Sequence, residues 1–300
     1  VGQVVATEAG PSAGELTSAG NPWRLAARTF TENKAAVAGL VFIILMAAFS
    51  FLGPLFYHTN QLSTNLPDSL RAPSAAHPLG TDDVGYDELG RLMLGGQTSL
   101  EVGLAAAVVA TFIGVAYGAI SGFVGGILDG IMMRAVDALL AIPTLFLLIY
   151  LFTVFQANVP LMILVIGLVA WLVPARLVRA ETLSLRTRDY VQAVRAMGGT
   201  RRRMVTRHIV PNTIGTIMVN ATFQVADAIV ALASLSFLGL GIQPPAANWG
   251  QMLSSGLTYV YAGAWWLIYP PGIAIVLTVM AFNAVGDSLR DAFDNRLRGR

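Results

Sequence analysis

The chain has 300 residues, 55% of them hydrophobic and only 12% charged, with a mean hydropathy of +0.64. A soluble domain carries about a quarter charged residues, so this composition excludes an ordinary soluble fold and predicts a bilayer protein. Cysteine is absent and His58, His77 and His208 are scattered, which excludes disulfides and thiol chemistry and argues against a histidine-built metal site.

Taken in chain order, residues 1–21 read as a flexible cytoplasmic tail rich in Gly, Ala, Ser and Thr. Glu8 and Glu15 without any early lysine or arginine are the wrong flank for a secretory signal. Residues 22–34 read as a short amphipathic helix on the inner surface, with Trp23, Leu25 and Phe30 dipping into lipid. From residue 35 to 300 the pattern is that of a transmembrane unit. A bilayer-crossing helix needs about 20 mostly apolar residues, and six segments qualify: 35–56, 100–124, 131–155, 160–178, 213–240 and 265–285.

The basic residues orient these spans. With the first residue inside, all but Arg71 and Arg91 of the 19 lysines and arginines fall on the cytoplasmic side, and the last residue returns there. The pI near 9.1 therefore reflects basic loops beside apolar spans, not a nucleic-acid-binding face. The outer loop 58–99 is acidic, with Asp68, Asp82, Asp83, Asp87 and Glu88. The outer loop 241–264 has Trp249, Tyr259 and Tyr261, followed by Trp265, Trp266 and Tyr269, aromatics that suit a headgroup-level belt.

Inside the spans, Gly114, Gly118, Gly122 and Gly126 recur every four residues and predict a bare ridge for close helix packing; a flexible gate is the sharper alternative. Arg134 and Asp137, three apart, predict a structural ion pair on one helix face. Pro143 predicts a kink in the third span. Asp227 is a carboxylate deep within an apolar span, and two readings stand. It lines an aqueous translocation path and meets a substrate ammonium, or it is a satisfied interhelical hydrogen-bond partner. Pro270, Pro271 and Gly272 mark either a bend beside a path or an ordinary helix start.

The segment 179–212 stands apart. Between two apolar spans, YVQAVRAMGGTRRRMVTRHIVPN (190–212) is a polar, arginine-rich helix pattern in which Ala193, Ala196, Gly198 and Gly199 leave room for a soluble partner to dock. The chain has no GxxxxGK[ST], HExxH or GxSxG, so no enzyme constellation is visible and any ATP hydrolysis belongs to another polypeptide.

This segment resembles the EAA motif of permease subunits in ATP-binding-cassette importers. Gln192, Ala193 and Val194 stand where Glu-Ala-Ala is expected, Gly198 matches the glycine, and Val210 and Pro211 match the ending. The runs 77–92, 176–191, 235–253 and 282–294 resemble the dipeptide/oligopeptide/nickel branch and its C-type subunit. Departures are Gln192 for the glutamate, Tyr86 for an arginine, and Leu232 where an acidic residue often stands. The resemblance implies an all-α, six-span type I importer permease with a cytoplasmic coupling helix, in a prokaryotic cell membrane. It implies that Tyr190, Gln192, Ala193, Val194, Arg195, Gly198, Gly199, Arg201 and Pro211 couple to an ATPase. It also implies a B-type permease partner in a heterodimer, two ATPase subunits or one fused ATPase, and an extracytoplasmic substrate-binding protein or lipoprotein. No cofactor is expected in this chain; ATP and magnesium would bind the ATPase partners. Peptide import is the expected function. Import of nickel or haem on the same fold remains open, as does an ion-coupled secondary transporter, although the paired broken helices of the latter are not seen.

Overall fold

In a computed structural model, residues 28–59, 61 and 63–298 are described, with side chains to residue 293. The tail 1–21 and the beginning of the expected amphipathic helix lie outside them; residues 28–32 are helical. The fold is a bundle of helices: α1 (Lys34–Phe56), α2 (Glu88–Val124), α3 (Gly126–Leu140), α4 (Thr144–Val154), α5 (Val159–Ala170) and α6 (Leu172–Leu185). They are followed by α7 (Asp189–Ala196), α8 (Arg201–Met204), α9 (Ile214–Phe237), α10 (Trp249–Leu257) and α11 (Tyr269–Arg298). Side-chain caps set several starts. Asn33 Oδ1 accepts from the Ala35 and Ala36 amides, and Asp87 Oδ1 from Gly90. Asn158 and Asn248 do the same for α5 and α10.

Four helices are long and apolar enough to cross a membrane, and six spans result when each of two bent pairs is taken as one. The second span is longer than expected, beginning at Glu88 and not near residue 100, because Asp87 caps it well before the apolar stretch starts. The third is broken more sharply than a kink: α3 and α4 meet at 77° across Pro143. Proline disfavours helical backbone at the residue before it and donates no amide hydrogen, so α3 ends and α4 starts anew. The fourth bends by 43° between α5 and α6 at Trp171. Pro270, Pro271 and Gly272 lie in the first turn of α11, which is the helix-start reading.

Proline also explains two glutamines, one buried and one half-buried. Pro174 cannot donate to Ala170 O, and Gln224 Nε2 of α9 donates to that oxygen instead at 2.8 Å. Pro54 leaves Ser50 O free in the same way, and Gln97 Nε2 of α2 fills it, also at 2.8 Å. In a lipid-embedded bundle a carbonyl freed by proline needs such a substitute donor.

Helix α2 is the axis of the bundle, packed against α1, α3, α5, α6 and α9. One apolar core joins Val102 and Ala106 of α2 to Leu148, Met162, Ile166, Leu232 and Leu235. A second joins Leu92 and Leu100 to Ile229, Trp249, Ala274 and Phe282. The expected glycine ridge packs α2 against α6, which is the packing reading. A Cβ on Gly114 would lie 2.5 Å from Pro174 Cβ, and one on Gly122 would lie 2.8 Å from Arg179 O. Gly126 does not join this ridge: it is exposed, has φ +62°, and opens α3 with nothing near it.

Two other expectations change. Asp137 pairs with Arg176 of α6 and not with Arg134, because α6 crosses α3 there and delivers a guanidinium from outside the helix. Of the outer aromatics, Tyr261, Trp265 and Tyr269 are exposed as a belt requires, but Trp249 and Trp266 are core residues. Trp249 Nε1 donates to Leu92 O at 3.0 Å and Trp266 Nε1 to Thr81 O at 3.1 Å. Each indole satisfies its one donor inside the fold, so nothing draws it to an interface.

Candidate coupling and transport sites

The coupling segment is built from α7 outward. Asp189 in the first turn and Arg195 in the last complement the helix dipole. The helix ends in a Schellman motif: Gly199 N donates to Val194 O at 2.9 Å and Gly198 N to Arg195 O at 3.1 Å. Gly198 adopts φ +81°, which a residue with a Cβ resists. Thr200 then caps α8 by accepting from Arg203 N. Val191, Met204 and Ile209 are buried and pin the segment to the bundle. On the free side Tyr190, Gln192, Ala193, Arg195, Gly198, Arg201 and Pro211 are exposed, while Val194 and Gly199 are half-buried. The backbone from Met204 onward passes through a π turn, Val205–Ile209, and a 3-10 turn, Val210–Asn212, that contains Pro211.

Three arginines of the α6 stretch hold this segment to the core, a feature that motif reading missed. Arg179 makes a two-pronged bond to Asp129, Nε to Oδ1 at 2.6 Å and Nη2 to Oδ2 at 2.7 Å, and Ser121 Oγ adds a third hydrogen bond to Oδ1 at 2.5 Å. Arg176 holds Asp137. Arg186 Nη1 donates to Gly122 O at 3.0 Å, capping the last turn of α2. Gln192 Nε2 donates to Arg186 O at 2.9 Å, so the residue in place of the expected glutamate makes a neutral bond back to α6. A cleft of about 340 Å³ lies between α2 and α7, lined in part by Phe123, Arg186, Gln192, Arg195 and Arg201. The available sequence signal was the i, i+3 spacing of Arg176 and Arg179 opposite acidic positions in α3.

A second cavity, about 300 Å³, lies where the two bent helix pairs face α9. Its wall includes Thr144, Leu148, Ala170, Asn220, Phe223, Gln224 and Asp227. Asp227 is exposed on α9. It makes neither a hydrogen bond nor an ion pair with any described residue, so the interhelical-partner reading finds no partner among the described residues.

The segments before α2 and after α9 form a folded cap. Tyr57 Oη and His77 Nδ1 both lie 2.9 Å from Asp87 Oδ2. Burial and the bond to Asp87 push the Tyr57 pKa up to about 12. Arg91 stands over the Tyr86 ring at 4.7 Å, donates to Pro245 O at 3.1 Å, and approaches Asp82 at 3.9 Å. Tyr86 thus receives the Arg91 cation on its π face. Burial raises the Asp82 pKa above its ordinary 3.8, although the Tyr86 amide, Arg91 and the Val84 amide pull it back down. Tyr259 Oη donates to Asp83 Oδ2 at 3.2 Å, tying the two loops of this cap together.

Comparison with known proteins agrees with this architecture. Residues 114–299 match the family described as binding-protein-dependent transport system inner membrane component, and residues 21–73 match the N-terminal TM domain of oligopeptide transport permease C. The chain is 41% identical over 276 residues to the oligopeptide transport system permease protein OppC of Bacillus subtilis, covering 92% of this chain and 90% of that one. It is 41% identical over 278 residues to the Escherichia coli K12 OppC, covering 92% of each chain. It is 38% identical over 271 residues to the Bacillus subtilis dipeptide transport system permease protein DppC, covering 90% of this chain and 85% of that one. An all-helical bundle of up to six spans, matched along nearly its whole length by inner-membrane permeases, has the type I importer permease fold: the chain belongs to the family of binding-protein-dependent transport system inner membrane components.

Proposed function

We propose that this chain is the C-type permease subunit of an ATP-driven importer of dipeptides and oligopeptides. The peptide substrate is supported by the names of the relatives, which are oligopeptide and dipeptide permeases. The observation that carries the coupling role is the exposed segment α7–α8. It is pinned by Val191, Met204 and Ile209 and continuous with α6, which is locked to the glycine ridge of α2. A load on Ala193 or Gly198 from below is transmitted by α6 to the membrane spans. Two ATPase subunits, or one fused, dock on Tyr190, Gln192, Ala193, Val194, Arg195, Gly198, Gly199, Arg201 and Pro211, and they bind the ATP and magnesium. A B-type permease completes a heterodimer, and an extracytoplasmic binding protein or lipoprotein delivers cargo to the outer cap. Both termini are cytoplasmic, residues 22–34 lie on the inner lipid surface, and residues 35–300 form the permease unit. ATP favours one conformation of the spans over the other by differential affinity, and that difference drives the alternation.

The test is co-purification of the chain with the ATPases and B-type subunit, followed by peptide-stimulated ATPase and uptake measurements in proteoliposomes. Ala193→Trp is the informative variant, because Ala193 is exposed on a regular helix whereas any substitution at Gly198 is also strained by its φ of +81°. Ala193→Trp is expected to leave insertion intact and abolish peptide-dependent ATP consumption and uptake. Wild-type uptake by this variant overturns the docking assignment.

A further inference from the structure

The cavity beside α9 contains a carboxylate without a counter-charge. Asp227 belongs to the apolar span Ile214–Phe237, and no basic residue lines the cavity it faces. Asn220, two turns earlier on the same helix face, lies roughly 10 Å along the axis from Asp227, and its Oδ1 is closed off from the cavity. Gln224, between them, is committed to Ala170 O. An ionised carboxylate at membrane depth is expensive unless it is paired or wet. Asp129, by contrast, finds Arg179 and Ser121 within the bundle. Asp227 instead fronts a concavity of about 300 Å³ whose other walls include the aliphatic Leu148 and the aromatic Phe223.

The chemistry that fits this arrangement is a compact cation with several donors. A primary ammonium has three N–H groups and one positive charge, which match the oxygens of a carboxylate and water in the cavity. We propose that Asp227 is a cation subsite inside the transport path that receives the primary ammonium of the cargo. This rests on the peptide-import reading above, since a peptide carries such a group at its amino end. The subsite is transient by construction: a single carboxylate holds the ammonium in passing, and the apolar walls do not compete for it.

The chain lacks cysteine, so a single introduced thiol is unique in it. In the full importer, Ala231→Cys places a thiol one turn from Asp227 in the same cavity, and Thr144→Cys places a second one on the opposing helix. Each is reacted with a cationic ethylammonium and an anionic ethylsulfonate methanethiosulfonate, with rates normalised to a free thiol and read on this chain by mass. One carboxylate at roughly 6 Å in a partly wet site should favour the cationic reagent by about fivefold or more. Asp227→Asn should remove that preference, and a dipeptide with a free amino group should protect the thiol while its N-acetylated form does not. Absence of labelling at both positions, a preference that survives Asp227→Asn, or equal protection by the acetylated peptide overturns the subsite. ATP-driven peptide uptake by the same preparation is measured separately. Normal uptake with no charge preference refutes the subsite alone, whereas absent uptake refutes the importer reading.

Discussion

The contact between α2 and α6 makes one substitution, Gly→Ala, act with opposite sign at two positions. At Gly118 the new methyl would fall on Ala175 O of α6, closer than a real Cβ approaches an oxygen, and 3.0 Å from Arg179 N. Both neighbours are backbone, so α6 itself must retreat, by roughly 1 Å to restore van der Waals spacing. The same move loosens the adjoining contacts of Gly114 with Pro174 and Gly122 with Thr182. Alanine regains about 1 kcal/mol of helix propensity, but overpacking costs about 1–3 kcal/mol, so the net effect is destabilising by up to about 2 kcal/mol. At Gly130 of α3 a methyl meets nothing within 4 Å, and the propensity gain of up to about 1 kcal/mol stands alone. Thermal unfolding of the purified complex in detergent should therefore rank Gly130→Ala at or above the wild type and Gly118→Ala below both. Because α6 runs into α7, Gly118→Ala should also reduce uptake per ATP hydrolysed, while Gly130→Ala should not. Equal midpoints for the two variants, or a stabilised Gly118→Ala, would refute the close-packing argument.

Other perturbations separate the remaining contacts. A double-mutant cycle with Asp129→Asn and Arg179→Gln should return a coupling of about 1–3 kcal/mol for their two-pronged bond, whereas a cycle between Arg134 and Asp137 should return about zero. Gln224→Leu and Gln97→Leu each strand a carbonyl freed by proline, at Ala170 and Ser50; each should cost about 1–3 kcal/mol in unfolding free energy. The folded pKa of Asp82 lies above its unfolded value, so its favourable contribution is complete below the unfolded value and lost as pH rises through the folded one. Hydrogen exchange at residues 82–86 should accordingly slow, after correction for intrinsic rates, as pH falls from about 7 toward about 4. Asp82→Asn keeps one acceptor oxygen and should flatten that dependence; an unchanged slope in the variant would refute the assignment to Asp82.

The amino-acid sequence determined what depends on local composition. Runs of apolar residues announced the spans, because burying a helical backbone in lipid demands about 20 such residues wherever they occur. The segment around Gly198 was legible because an Ala-rich helix, a glycine pair and an arginine run form a pattern within one stretch of chain. Pro143 and Pro270 were legible as interruptions, although not the 77° bend at the first or the ordinary helix start at the second. What the sequence left undecided depends on which helices meet. Asp137 takes Arg176 over Arg134 because α6 crosses α3 at that level. Gln224 and Gln97 matter because each lies opposite a carbonyl that proline frees on another helix. Trp249 is wholly buried and not in an aromatic belt because Leu92 O, distant in sequence, accepts its indole hydrogen. Asp227 was conspicuous in the sequence, but only the packed bundle shows it facing a cavity with no partner among the described residues. Hydropathy is a property of each segment, and ion pairs and hydrogen bonds are properties of pairs; the latter are decided when the tertiary fold brings their members together.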